Sequence, residues 1–387
     1  MWIQKHSNVN GRNRGPCPLG AGASAQSGFT LIELLVVVAI IALLLSILLP
    51  SLRSARDQAK AVHCGAQMRG FAGGYASYAT EFNDWIPGVN TTGVELRALD
   101  MAQTDAMNDA MLPVQTFDWM TPLIRLETSL PRVRADRFKL LLQRFRCAAL
   151  LQFNSILFFE IEGGGDPPPD FQDFLDIPEW PPVSYLMPAG FQYWGFGTRD
   201  KILGRSGSGG GMFSNVPIKP KIMPTNWEVL LPDDYTTRLG RIGTPAGKIF
   251  AADGTRFVTS SGLVDYDPSP VPGNFGAFTT SGGWWPGSTA YGVAGGSPNW
   301  SVDGDPVSQG SPSAGMNLPI TYRHSARGRG NGTAQGHKGS IDLLFFDGHV
   351  DRVQDRESRK IDMWYPKGSK VQAPIGMTTV RPDYVIR

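Results

Sequence analysis

The chain has 387 residues, 41% apolar and 18% charged, too apolar for wholesale disorder and long enough for one large domain or two or three smaller ones. The 36 Lys and Arg nearly cancel the 34 Asp and Glu, so no net field favours nucleic acid as the main partner. The 46 glycines and 30 prolines point away from an all-helical bundle and toward strands and long turns. No phosphate-binding glycine loop, dinucleotide fingerprint, HExxH or GxSxG occurs, and Cys17, Cys64 and Cys147 lack CxxC spacing. An enzyme is therefore the weaker reading.

Residues 1–28 hold Lys5, Arg12 and Arg14 and no acid, and residues 29–49 are almost wholly apolar. At about 1.5 Å per residue the apolar stretch makes roughly 30 Å of helix, enough to cross a bilayer core. Its one ionised side chain is Glu33. A carboxylate in a membrane span costs roughly 2.5–3.5 kcal/mol at the centre and less toward the interface, so it points to a function. Three readings compete. A secretory signal peptide needs an apolar core of about 7–15 residues and a small-residue cleavage site after it; here the core is longer and Pro50-Ser51-Leu52 follows. An uncleaved signal anchor fits the span length alone. A leader cut before the apolar segment fits residue by residue.

That third fit rests on Gly28-Phe29-Thr30-Leu31-Ile32-Glu33, with Pro50 downstream. It resembles the prepilin peptidase motif of type IV pilins and type II secretion pseudopilins. Counted from Phe29, Glu33 is the fifth residue and Pro50 the twenty-second, as in that family. The resemblance implies cutting after Gly28 by a prepilin peptidase that also methylates the new amine. It implies roles in assembly for Phe29, Glu33 and Pro50, with other pilin-like subunits and the inner membrane as partners.

Beyond the span, Cys64, Met68, Phe71, Tyr75, Tyr78 and Phe82 recur every three or four residues, the stripe of a helix packed along one face. Gly70, Gly73 and Gly74 each weaken such a helix by roughly 1 kcal/mol relative to Ala. Asn83-Asp84 and Pro87-Gly88 end it. Residues 29–82 thus read as one helix of roughly 80 Å, interrupted and kinked at Pro50.

Short helices and loops are expected over residues 94–145, with an amphipathic helix from Arg134 to Phe145. Strands are expected at Ser155–Ile161, Val183–Met187, Lys248–Ala252, Arg256–Thr259, Pro319–Arg323, Ile341–Phe346 and Val350–Val353. Residues 267–315 hold 26 Gly, Pro or Ser among 49, which makes this stretch a loop or insertion rather than core. The expected class is α+β, a long N-terminal helix packed on an antiparallel sheet. The expected parts are a leader (1–28), a transmembrane segment (29–49), an amphipathic extension (50–83) and a β-rich head (84–387).

In the tail, an apolar strand runs into Asp347-Gly348, a strong hairpin signal. His337, nine residues and Asp347-Gly348-His349 resemble the tail of large-headed pilin-like proteins of planctomycete-type bacteria. Ser184-Tyr185-Leu186-Met187, Ala252-Asp253-Gly254 and Tyr322-Arg323-His324-Ser325 are further pieces of that likeness. His324, His337, Asp347 and His349 are metal-ligand types, but structural polar anchoring is the preferred reading. Asp303-Gly-Asp305 and Asp265-Tyr-Asp267 would suit calcium, yet neither completes an EF-hand loop, and turn formation is preferred. No metal or cofactor is expected. Cys17 leaves with the leader. Cys64 and Cys147 would meet an oxidising periplasm, where a disulfide and a buried free thiol both remain open.

The resulting expectation is a structural subunit: a single-pass inner-membrane protein with a periplasmic head, cleaved and then assembled through its helix into a pilus- or secretion-type filament. The alternative is a membrane-tethered binding or scaffold domain that uses the same leader as an anchor.

Overall fold

The computed structural model describes residues 29–99, 104–125, 129–149, 170–171, 183–198, 220–223, 229–254, 257–258, 264–265, 269–272, 277–280, 316–317, 324, 340–358, 360–372 and 383–387. The leader with Gly28 and Cys17, the strands expected at 155–161 and 319–323, His337, Asp267, Asp303, Asp305 and most of the 267–315 insertion lie outside them. The chain divides into two compact units, Met1–Arg53 and Ser54–Arg387.

Helix α1, Leu31–Glu81, contributes its first turns to the first unit. There its aliphatic side chains stand exposed, from Leu31 at 81% to Ile47 at 70%. The helix continues through Pro50, so the expected interruption does not end it. A proline removes one N–H donor at a cost of about 3 kcal/mol, and the unbroken helical turns on either side absorb that loss.

In the second unit the stripe is buried as the periodicity predicts. Cys64, Met68, Phe71, Tyr75 and Tyr78 are at most 4% exposed, and Phe82 packs at the edge of the same core. Phe71 meets Trp119 edge-on at 5.0 Å and Phe145 at 4.7 Å; Tyr75 lies 4.7 Å from Phe250. The helix closes where expected. Asn83 and Asp84 take left-handed backbone angles, and the Asp84 N–H donates back to the Ala79 carbonyl at 2.8 Å, a hydrogen bond characteristic of helix C-caps.

Short helices α2 (Val94–Ala98) and α3 (Met120–Ile124) follow, then α4 (Arg134–Arg144). The glycines of α1 divide by position. A Cβ at Gly74 would meet the Leu123 carbonyl oxygen of α3 at 2.8 Å, whereas at Gly70 and Gly73 it would meet nothing within 4 Å. Gly70→Ala and Gly73→Ala should therefore each raise stability by about 0.4–1 kcal/mol through the unfolded chain, while Gly74→Ala lowers it. Urea melts of the three variants check this; stabilisation by Gly74→Ala would contradict the close approach.

The strands are β1 (Tyr185–Pro188), β2 (Val229–Leu230), β3 (Ile249–Asp253), β4 (Phe257–Val258), β5 (Val264–Asp265), β6 (Thr279–Thr280), β7 (Met316–Asn317), β8 (Ser340–Phe345), β9 (Val350–Gln354) and β10 (Lys370–Val371). The main sheet has the order β6-β1-β3-β8-β9. It is antiparallel except at its edge, where β6 pairs parallel to β1, so the expected antiparallel sheet is mixed. That pairing comes from residues 279–280, inside the segment read as a loop or insertion: composition marks its turns but not the short piece that docks on an edge. Strands β10 and β2 form a second sheet, and β5-β4-β7 a third.

Side chains alternate across β8. Ile341, Leu343 and Phe345 join a core with Trp364, Tyr193 and Tyr235. Leu344 joins the core that holds the α1 stripe, and Asp342 shares its parity. A register shift between Ile249 and Ala251 of β3 leaves Ala251 in the α1 core and Ala252 in the other, which places Asp253 on the α1 side.

Candidate functional site

Two places gather the functional residues, and they are unrelated in chemistry. The first is the start of α1. The Thr30 hydroxyl accepts from the Glu33 N–H at 3.3 Å, and Glu33 Oε2 accepts from both the Thr30 N–H and the Thr30 hydroxyl at 2.8 Å. This is a reciprocal capping box, with Thr30 as N-cap and Glu33 at the third helical position. Its Thr-x-x-Glu signature, Thr30-Leu-Ile-Glu33, stands in the sequence but is masked there by the apolar run and the cleavage motif that share these residues. Phe29 is 78% exposed. Helix α1 is long and apolar enough to cross a membrane.

The second place lies in the head. Cys64, on the buried stripe, and Cys147, just after α4, are linked as a disulfide with Cα atoms 5.2 Å apart. The Cys147 N–H donates to Ser184 Oγ at 2.9 Å, and the Tyr185 hydroxyl donates to Gln67 on α1 at 2.6 Å. Strand β1 and the disulfide thus bind the same stretch of helix.

Beside the disulfide sits a buried charged group. His324 Nε2 is 2.9 Å from Asp253 Oδ2 and 3.4 Å from Asp342 Oδ2, and 3.9 Å from Cys147 Sγ. The Asp342 N–H donates to Asp253 Oδ2 at 2.8 Å. Arg352 forks onto Asp342, Nε to Oδ1 at 2.6 Å and Nη2 to Oδ2 at 2.9 Å, and Nη2 also reaches the Ala61 carbonyl of α1 at 2.8 Å. Burial pushes the Asp342 carboxyl up from its ordinary range, and the Arg352 hydrogen bonds oppose that rise. The group therefore ties β3, β8, β9 and the bridge between His324 and Ser340 to the helix.

His324 is accordingly not gathered with Asp347 and His349, as the residue types suggested. Those two form the β8–β9 turn. Gly348 takes a φ of +95°, and the Phe345 N–H donates to the His349 carbonyl at 3.0 Å. The His349 ring stacks on Phe345 at 4.2 Å and meets Asp347 Oδ1 through Nδ1 at 2.6 Å. The expected Asp-Gly hairpin is present, and the histidine after it braces the turn. His324 departs because its bridge to Ser340 sets it at the other end of β8.

Sequence reasoning missed Asp342 and Arg352. An aspartate inside Ile341-Asp-Leu-Leu-Phe-Phe346 is an anomaly in an apolar strand, and a turn centred on Asp347 places Arg352 directly opposite it. Asp253 is visible only as part of a family-like triplet.

No curated protein and no solved structure matches the chain. Residues 23–49 match the family described as the prokaryotic N-terminal methylation motif, which covers the Gly28–Glu33 segment and the whole apolar span and supports an exported, membrane-anchored, pilin-like N-terminus.

Proposed function

We propose that this protein is a pilin- or pseudopilin-like structural subunit, cleaved after Gly28 by a prepilin peptidase and assembled through its N-terminal helix into a filament. The observation that carries the reading is the methylation motif over residues 23–49 running into a helix whose first turns expose only aliphatic side chains apart from Glu33 and Ser46. Such a surface needs lipid or other helices around it. The tail spacing from His337 to Asp347-Gly348 supports the large-headed pilin-like group. The reading places the head in the periplasm and assigns the head a structural role rather than catalysis.

A second reading is favoured by one observation: the Glu33 carboxylate is already satisfied by Thr30, so the isolated chain needs no neighbour for it. In that reading the helix only tethers a binding or scaffold domain.

Processing is tested first. Mature protein should begin at a methylated Phe29, and removal of 28 residues from 387 leaves 359. N-terminal sequencing and intact mass of membrane-extracted protein decide this. A start at Met1, or beyond Pro50, would remove the prepilin reading. A bulky or charged residue at position 28 should block cutting, whereas Gly28→Ala should be partly processed.

A further inference from the structure

We propose that Asp253, His324 and Asp342 form a binding site for one divalent transition-metal ion, with Zn2+ the best match. This goes beyond the filament reading and does not depend on it.

The geometry is that of a ligand set. One oxygen from each aspartate and one nitrogen of His324 lie within 4.8 Å of one another, with His324 Nε2 at 2.9 and 3.4 Å from the two Oδ2 atoms. In a tetrahedral zinc site with N and O ligands at about 2.0–2.1 Å, neighbouring ligand atoms stand about 3.3 Å apart. Both nitrogen-to-oxygen separations at His324 are close to that spacing.

Burial and hydrogen bonding favour an occupant. Asp253, His324 and Asp342 are 0%, 2% and 1% exposed. Asp253 Oδ1 has no hydrogen-bond partner among the described residues, and an orphaned buried carboxylate oxygen is costly. A metal chelated by both Asp253 oxygens would take up Oδ1 together with Oδ2, the atom that faces His324. Arg352 pairs with Asp342, whereas Asp253 is held by the Asp342 N–H and His324 Nε2, so among the described residues no guanidinium neutralises Asp253 directly. Arg352 on Asp342, and the Asp342 N–H on Asp253, hold both carboxylates in place from outside, as the outer partners of metal ligands do. Imidazole with carboxylates suits zinc better than magnesium or calcium, which take all-oxygen shells. Cys147 Sγ is near, but the disulfide withholds it as a thiolate ligand.

The experiment uses the full processed chain in detergent, without a histidine tag and with the disulfide shown intact by the absence of alkylatable thiols. After chelator treatment it is equilibrated with low-micromolar Zn2+ and its metal content measured; a parallel sample receives Co2+. One equivalent of zinc, together with the visible absorption of tetrahedral Co2+ and no thiolate-to-cobalt band, is the expected result. Asp253→Asn and His324→Gln should each weaken binding by at least about tenfold, while His349→Ala, in the exposed turn, leaves it unchanged. Failure of the unmodified chain to take up stoichiometric metal overturns the proposal without recourse to any variant and leaves the group a hydrogen-bonded charge cluster. Binding lost in His349→Ala, or kept in both buried variants, overturns it as well.

Discussion

Replacing Glu33 with Gln should leave the chain exported, cleaved and folded, yet abolish its entry into filaments. After cleavage the Phe29 amine is a charge at the end of an apolar helix, and such a charge is costly in lipid. Glu33 lies four residues along, roughly 6 Å of helix rise. In the proposed bundle, a subunit displaced by that distance would bring its amine to its neighbour's carboxylate, and the two would share the desolvation cost. The capping box supplies a control that charge alone does not. Gln at the third helical position still completes a capping box, so Glu33→Gln removes the charge and keeps the cap. Thr30→Ala removes the hydroxyl of the cap, at about 0.5–2 kcal/mol of helix stability, and keeps the charge. Electron microscopy of sheared filaments, beside immunoblots for the cleaved form, should show filaments lost in Glu33→Gln and Glu33→Ala and largely kept in Thr30→Ala. Normal filament yield in Glu33→Gln would put the tethered-domain reading ahead. Loss in Thr30→Ala with retention in Glu33→Gln would make the carboxylate a helix cap and nothing more.

Opening the Cys64–Cys147 link should cost the head about 2–5 kcal/mol of stability. The two cysteines are 83 residues apart in sequence, and a cross-link over so long a stretch removes much conformational freedom from the unfolded chain, in the chain-entropy account. It also fastens α1 to the segment after α4, where the paired sulfurs sit fully buried. Urea denaturation with and without reductant, and of Cys64→Ala/Cys147→Ala, measures the loss. Non-reducing peptide mapping of exported protein should give one joined peptide pair. Unchanged midpoints, or two freely alkylated thiols in denatured, unreduced protein, would exclude the link.

The parts of this protein that depend on local chemistry can be read along the chain. Twenty-one nearly unbroken apolar residues make a helix that would satisfy its own backbone groups if placed in lipid. The three-and-four spacing from Cys64 to Phe82 puts those side chains on one face whatever they pack against. Asp347-Gly348 makes its turn because glycine accepts a φ of +95°. The capping box at Thr30 and Glu33 belongs to this class too, since it needs only residues three apart.

Tertiary structure decides the rest, because the deciding distances join residues far apart in the chain. Cys64 meets Cys147, and His324 meets Asp253 and Asp342, only once β1, β3 and β8 stand side by side against α1. Helical spacing shows that Cys64 is buried but not what it faces. Gly74 and Gly73 are adjacent in sequence, yet only Gly74 lies against the backbone of α3. The β-bulge at Ile249–Ala251 reverses which side of the sheet Asp253 occupies, as a one-residue insertion must in a structure of period two. No composition or spacing rule foretells that bulge, and the buried charged group exists because of it.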